Sequence, residues 1–157
     1  QGVTTNDGPK VMQLVGLALL PNAKAWVMMD SVGVGASPFD FCRQRGWSVF
    51  GVNFGAGCSE RDTTGLFSFA NVRAFAYWSV RELLDPARPE QERLILPPDP
   101  ELLADLTAPR WEMTISGVKI EKKDLIAARL GRSPDCGDAV ALAVLLPGAA
   151  WFQEQRA

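Results

Sequence analysis

A five-residue apolar run, Ala25-Trp-Val-Met-Met29, ends on Asp30 and gives way at once to the glycine-bearing loop 31–36. A short, continuous apolar segment of this kind reads as a strand buried on both faces. Residues 38–45 then read as a helix that stops at Gly46, and 47–52 as a second strand. Strands alternating with helices in this way indicate a parallel pairing. Upstream, Asp7-Gly-Pro-Lys opens a helical pattern, with Asp7 placed as N-cap, Pro9 in the first turn and Val11, Leu14, Val15, Ala18 and Leu19 at helical spacing.

Downstream, 53–66 is rich in Gly and Ser and reads as a loop. The longest helix is expected over 69–84, ended by Pro86 and Pro89, with a short strand at 94–96 before Pro97-Pro98 and a short helix over 100–106. Strands at 111–115 and 118–121 flank Ser116-Gly117, a hairpin signal. A helix over 123–130 closes at Gly131, and a last helix over 133–146 has Ser133 as N-cap and Pro134 in its first turn. No repeat or linker divides the 157 residues, so one α/β domain is expected, with a mainly parallel sheet and an antiparallel hairpin. The segment from Pro147 is a tail with no assigned element.

An apolar fraction of 47% against 22% charged residues is that of a folded globular chain. The longest apolar runs, 14–20 and 139–146, fall short of the roughly 20 residues that a membrane span needs. No basic segment with a cleavage site reads as a secretory signal. Cys42, Cys58 and Cys136 suit neither a disulfide framework nor a metal knuckle, and buried thiols are expected. Histidine is absent, which excludes His-based triads and leaves oxygen ligands for any metal, hence Mg²⁺ or Mn²⁺.

Asp30 sits at the carboxyl end of a strand, where open α/β sheets bind ligands, although such an acid also serves to satisfy loop amides. Gly33-Val-Gly35 is not a dinucleotide fingerprint: Pro38 stands where a third glycine is needed, and the acid precedes the loop. Asp135 and Asp138 lie three apart on one helix face. Asp135 suits the positive end of the helix dipole, so a functional and a structural role both account for it. Asp138 leads into the apolar 139–146, a costly place for a carboxylate unless paired or metal-bound. Carboxylates gathered from a strand end and a distant helix suggest metal-assisted phosphodiester hydrolysis, because a shared cation relieves their repulsion. The net charge of −2 hides a basic stretch, Lys119, Lys122, Lys123, Arg129 and Arg132, which suits the phosphate backbone of DNA.

Six blocks in order carry a resemblance: Asp30-Ser-Val-Gly-Val-Gly, Gly51-Val-Asn-Phe-Gly55, Phe69-Ala-Asn-Val-Arg-Ala74, Leu96-Pro-Pro-Asp-Pro-Glu-Leu102, Gly117-Val-Lys-Ile-Glu-Lys-Lys-Asp124 and Arg129-Leu-Gly-Arg-Ser-Pro-Asp-Cys-Gly-Asp-Ala139. They resemble the C-terminal nuclease domain of the large terminase subunit of tailed bacteriophages and prophages. The resemblance implies a ribonuclease-H-like mixed sheet flanked by helices, and an acidic cluster holding two Mg²⁺ or Mn²⁺ ions. Asp30 matches the family's second acidic ligand, Asp138 the acid of its last helix with Asp135 close by, and Lys123 a lysine near that site. The implied activity is endonucleolytic cutting of double-stranded, concatemeric viral DNA in the cytoplasm of the bacterial host. The implied partners are DNA, the terminase ATPase domain, the portal or procapsid and the small terminase subunit, with no membrane.

Two departures go with it. No GxxxxGK[ST] phosphate loop of an ATPase occurs. The family's first acidic ligand lies on an opening strand well upstream of the second, whereas the 29 residues before Asp30 read mostly as one helix. The expectation is that this chain alone binds metal weakly and cuts DNA poorly or not at all. A terminase-derived module that docks to portal or DNA without cutting is the alternative, and a small-molecule α/β enzyme built on the Gly33/Gly35 loop is a third.

Overall fold

The computed structural model describes residues 7–22, 24–32 and 36–146. The Gly33/Gly35 loop and the tail from Pro147 lie outside the described residues. The chain forms two compact units, Gln1–Asn53 and Phe54–Ala157.

In the first unit α1 (Gly8–Leu19) follows Asp7 at the N-cap position, with Pro9 in its first turn. β1 (Val27–Asp30) and β2 (Val49–Val52) pair in parallel, Val27 against Val49 and Asp30 against Val52, with α2 (Ala36–Gln44) between them in sequence. Helix α1 packs on α2, and Cys42 and Val52 are buried. Burial on both faces is not what β1 shows. Val27, Met28 and Met29 are half-buried, and Trp26 is exposed and meets Phe50 edge-on at 6.3 Å. The apolar run fixed the strand; it did not fix how deeply the strand is covered.

The second unit is organised around an aromatic core. Phe69, Ala74, Trp78 and Val118 are buried together, with Phe67, Phe75 and Ile120 against them. The loop before this core is held by Asp62, whose carboxylate accepts from the backbone N–H of Thr64 and Phe67, and by Thr63, which donates to Glu82 of the next helix. That helix, α3 (Val72–Leu83), starts three residues later than its apolar pattern suggests, because the Asn71 side chain caps the Ala74 N–H at 2.9 Å. After it comes a 3₁₀ turn, Glu90–Glu92, and no strand forms at 94–96. Ile95 is exposed, and Pro97 and Pro98 have no N–H to donate to a ladder. Helix α4 (Pro100–Thr107) is capped by Asp99, which accepts from the N–H of Glu101 and Leu102.

β3 (Trp111–Thr114) and β4 (Gly117–Ile120) form an antiparallel hairpin. Its two-residue turn is Ile115-Ser116, one position earlier than the Ser116-Gly117 signal. Gly117 instead begins β4 at φ +99°, where an added Cβ would overlap the Ser68 carbonyl. That close approach lets Val118 N–H bond to Ser68 O, and Ala70 N–H to Val118 O. Helix α5 (Lys123–Leu130) ends as expected on Gly131, which is left-handed at φ +71°. Helix α6 (Asp135–Ala143) is shorter than the expected 133–146, and Pro134 rather than Ser133 holds the N-cap position. Both α3 and α4 pack on α6. No described helix is long and apolar enough to cross a membrane.

Candidate functional site

Burial puts Asp138 at the centre of the second unit's chemistry. It lies in the first turn of α6 and is only 9% exposed. A carboxylate so placed requires partners, and three surround it. The Tyr77 hydroxyl donates to Oδ1 at 2.7 Å, Arg73 Nη2 stands 3.4 Å from the same oxygen, and Lys123 Nζ lies 2.7 Å from Oδ2. Lys123 also reaches Asp135 Oδ1 at 2.8 Å, so one ammonium bridges two carboxylates. Ser133 Oγ donates to that same Asp135 oxygen at 2.6 Å.

The local sequence explains the arrangement. Arg73 and Tyr77 are one turn apart on α3, so they share a face, and that helix packs on α6. The guanidinium lies 4.9 Å from the Tyr77 ring centroid and also donates to Glu121 O at 2.9 Å, which fixes it from two sides. Lys123 begins α5 and reaches across to the first turn of α6. Burial drives the Tyr77 pKa far up, and the negative charge of Asp138 drives it further, so the phenol stays a neutral donor. Burial works against the Lys123 ammonium, but its bonds to Asp135 and Asp138 outweigh that and raise its pKa. The bonds from Lys123 and then Ser133 hold the Asp135 carboxyl below its ordinary value.

Of the residues singled out in the sequence, the structure brings Asp135, Asp138 and Lys123 together. Asp30, at the end of β1, is exposed, and its Oδ1 accepts the Val32 N–H at 3.0 Å, the loop-satisfying role open to such an acid. Arg129 forms an ion pair with Glu121 and donates to Ala108 O at 2.7 Å. Arg132 Nη1 is 2.6 Å from Asp105 Oδ1, an ionic contact rather than an aligned hydrogen bond, and 3.4 Å from Glu101. Lys119 and Lys122 are exposed. Cys136 is exposed rather than buried, Cys58 is half-buried, and Cys42 alone fits the buried thiol expected of all three. Tyr77, Arg73 and Asp105 went unmarked in the sequence. The one available signal was the Arg73/Tyr77 spacing, a polar pair at i, i+4 beside an apolar stripe.

Oxygen donors of this kind suit a hard divalent cation. The bridging ammonium shows that Asp135 and Asp138 stand close enough to share one positive charge. Among the described residues, however, no group of three or more Asp, Glu, Cys or His side chains is gathered as a metal cluster. A cavity of about 660 Å³ in this unit is walled mainly by Val80, Leu84, Leu96, Leu102, Leu103 and Leu106. Mainly apolar walls of this kind are ill suited to a phosphodiester, whereas a more open cavity of about 880 Å³ has Asn71, Thr114, Ser116 and Lys119 in its lining.

No protein-family model matches the chain, and no curated protein is significantly similar to it. Solved structures do share its fold. The nuclease domain of the large terminase subunit gp2 of bacterial virus Sf6 superposes with a TM-score of 0.73 at 19% identity, over 94% of this chain and 76% of that one. A lysine-to-alanine mutant of that domain, solved with manganese and beta-thujaplicinol, gives 0.73 at 18% identity over the same shares. The mutant with manganese alone gives 0.70 at 18%, over 89% of this chain and 74% of that one. The chain thus has the ribonuclease-H-like fold of a large-terminase nuclease domain.

Proposed function

We propose that this chain is the nuclease part of a phage or prophage DNA-packaging terminase, hydrolysing the phosphodiester backbone of double-stranded DNA with Mg²⁺ or Mn²⁺. One observation carries the reading: two carboxylates of α6, one of them buried, share a single cationic group, the Lys123 ammonium. Asp135 and Asp138 are the residues that would hold the metal. Bound there, a divalent cation supplies charge neutralisation at the phosphoryl group and a water of lowered pKa. The chain's own residues do the rest. Tyr77 and Arg73 orient Asp138 through Oδ1 and leave Oδ2 as its ligating oxygen, while Lys123, once released from that oxygen, is a cation for the scissile phosphate. The exposed Lys119 and Lys122 contact the flanking backbone, positioning DNA without reading its sequence.

Support from outside the site is the shared fold, together with the manganese in two of the Sf6 domain structures. Asp30 is included as a further ligand on its strand-end position alone, and a two-ion site and concatemeric viral DNA come with the resemblance. So do the ATPase domain, portal or procapsid and small subunit as partners, in the cytoplasm of the bacterial host. The test is conversion of supercoiled plasmid by the purified chain in MnCl₂. Slow nicking and linearisation, lost in Asp138→Ala and reduced in Asp30→Ala, is the expected result; metal-independent or absent conversion overturns it.

A second reading has an observation of its own. Tyr77, Arg73 and Lys123 already satisfy both oxygens of Asp138, as they would in a docking module that never holds metal. In that case MnCl₂ neither binds nor shifts the melting temperature.

A further inference from the structure

The Arg132 guanidinium and the buried Asp105 carboxylate meet where α4 abuts the start of α6. We infer that Asp105 and Arg132 are a positioning pair that sets the first turn of α6, and with it the placing of Asp135 and Asp138, rather than part of the phosphate-binding surface. The inference rests on the nuclease reading above and adds to it.

Helix α6 starts without a local cap. Pro134 holds the N-cap position and makes no side-chain bond to the helix, so its first amides need acceptors from elsewhere. Asp105 supplies one from 32 residues away, its Oδ2 accepting the Gly137 N–H at 3.1 Å. Asp105 is 0% exposed, and a carboxylate buried to that degree needs a counter-charge. Arg132 Nη1 provides it at 2.6 Å. The same guanidinium donates to Glu101 O at 3.0 Å and to Ser133 O at 3.1 Å, tying the connection before α6 to α4. Contact is close: a Cβ on Gly137 would stand 2.9 Å from the Asp105 Cβ. Gly137 lies between Asp135 and Asp138, so any rotation or shift of this turn displaces both acids together. A guanidinium spent on a buried acid and two carbonyls is a poor phosphate ligand.

The test uses the full chain and two titrations: MnCl₂ by calorimetry, at a temperature where every variant retains wild-type circular dichroism, and a DNA duplex across a salt series. Asp105→Asn keeps an acceptor for Gly137 but loses the charge, and Arg132→Gln removes its partner. Each is expected to weaken Mn²⁺ binding about fivefold or more, with the double variant no worse than either single, since the two act as one unit. The slope of log affinity against log salt should stay at the wild-type value in Arg132→Gln. Arg132→Lys, which keeps the charge but loses the fork, should recover part of the Mn²⁺ affinity and serves if the others fail to fold. Unchanged Mn²⁺ affinity in folded variants overturns the inference, as does a salt slope reduced by about one in Arg132→Gln, the mark of a lost phosphate contact. If the wild type itself binds no Mn²⁺, the nuclease reading falls, and the inference with it.

Discussion

Lys123 Nζ lies 2.7 Å from Asp138 Oδ2, on the oxygen that Tyr77 and Arg73 leave open. The same ammonium is 2.8 Å from Asp135 Oδ1. A lysine thus sits where two acids would otherwise repel, and a divalent ion is the other species that can relieve the same repulsion.

Lys123→Met leaves those two carboxylates facing one another with no shared cation. The melting temperature is expected to fall in metal-free buffer, and added MnCl₂ to raise it by more than it raises the wild type. Differential scanning calorimetry with and without Mn²⁺ checks this. Equal shifts in the two proteins would mean that the acids do not share the ion.

Tyr77→Phe removes the 2.7 Å bond to Asp138 while keeping the ring that packs beneath Arg73. Hydrogen bonds to charged groups contribute about 1.5–3 kcal/mol, and loss of stability in that range is expected in urea denaturation. A change near zero would show that the phenol is incidental to holding the carboxylate.

Helices α5 and α6 were legible because each is announced locally, by the Gly131 stop and the Ser133-Pro134 start, and the spacing of Asp135 and Asp138 put both on one face. Lys123 was legible only as one charge in a basic stretch. The sequence did not reach Tyr77 or Arg73. On α3 both read as interruptions of the apolar pattern, and their purpose appears only when α6, some sixty residues on, brings Asp138 against them. Arg129 and Arg132 show the same limit from the other side. Their charge is legible, but Glu121 and Asp105, the acids that engage them, are assigned by packing. The expected strand at 94–96 failed for a related reason: its apolar residues marked a segment with which no strand among the described residues pairs.

Gly137→Ala sets helix propensity against packing. Alanine gains up to about 1 kcal/mol in a helix interior, whereas its methyl would meet Asp105 at 2.9 Å and overpacking costs about 1–3 kcal/mol. Net destabilisation is expected, read as a lower urea midpoint with an unchanged m-value.

Acid sensitivity should involve Glu121. Its bond to Arg129, and then the Arg110 amide, hold its pKa below the ordinary 4.5. A depressed folded-state pKa gives stability that is present above the unfolded value and lost as pH falls through the folded one. Between pH 5 and pH 3 the wild type should therefore lose melting temperature more steeply than Glu121→Gln, and the two should run parallel above pH 6. Parallel curves throughout would remove Glu121 from the acid transition.

The proposed function depends on Asp135 and Asp138 as ligands for a divalent cation. Calorimetric titration of MnCl₂ into the wild type and into Asp138→Asn, at neutral pH and a temperature where both are folded, tests that directly. Saturable binding in the wild type, weakened at least tenfold in Asp138→Asn, is the predicted result. Binding of equal strength in the two proteins, or no binding in the wild type, contradicts it.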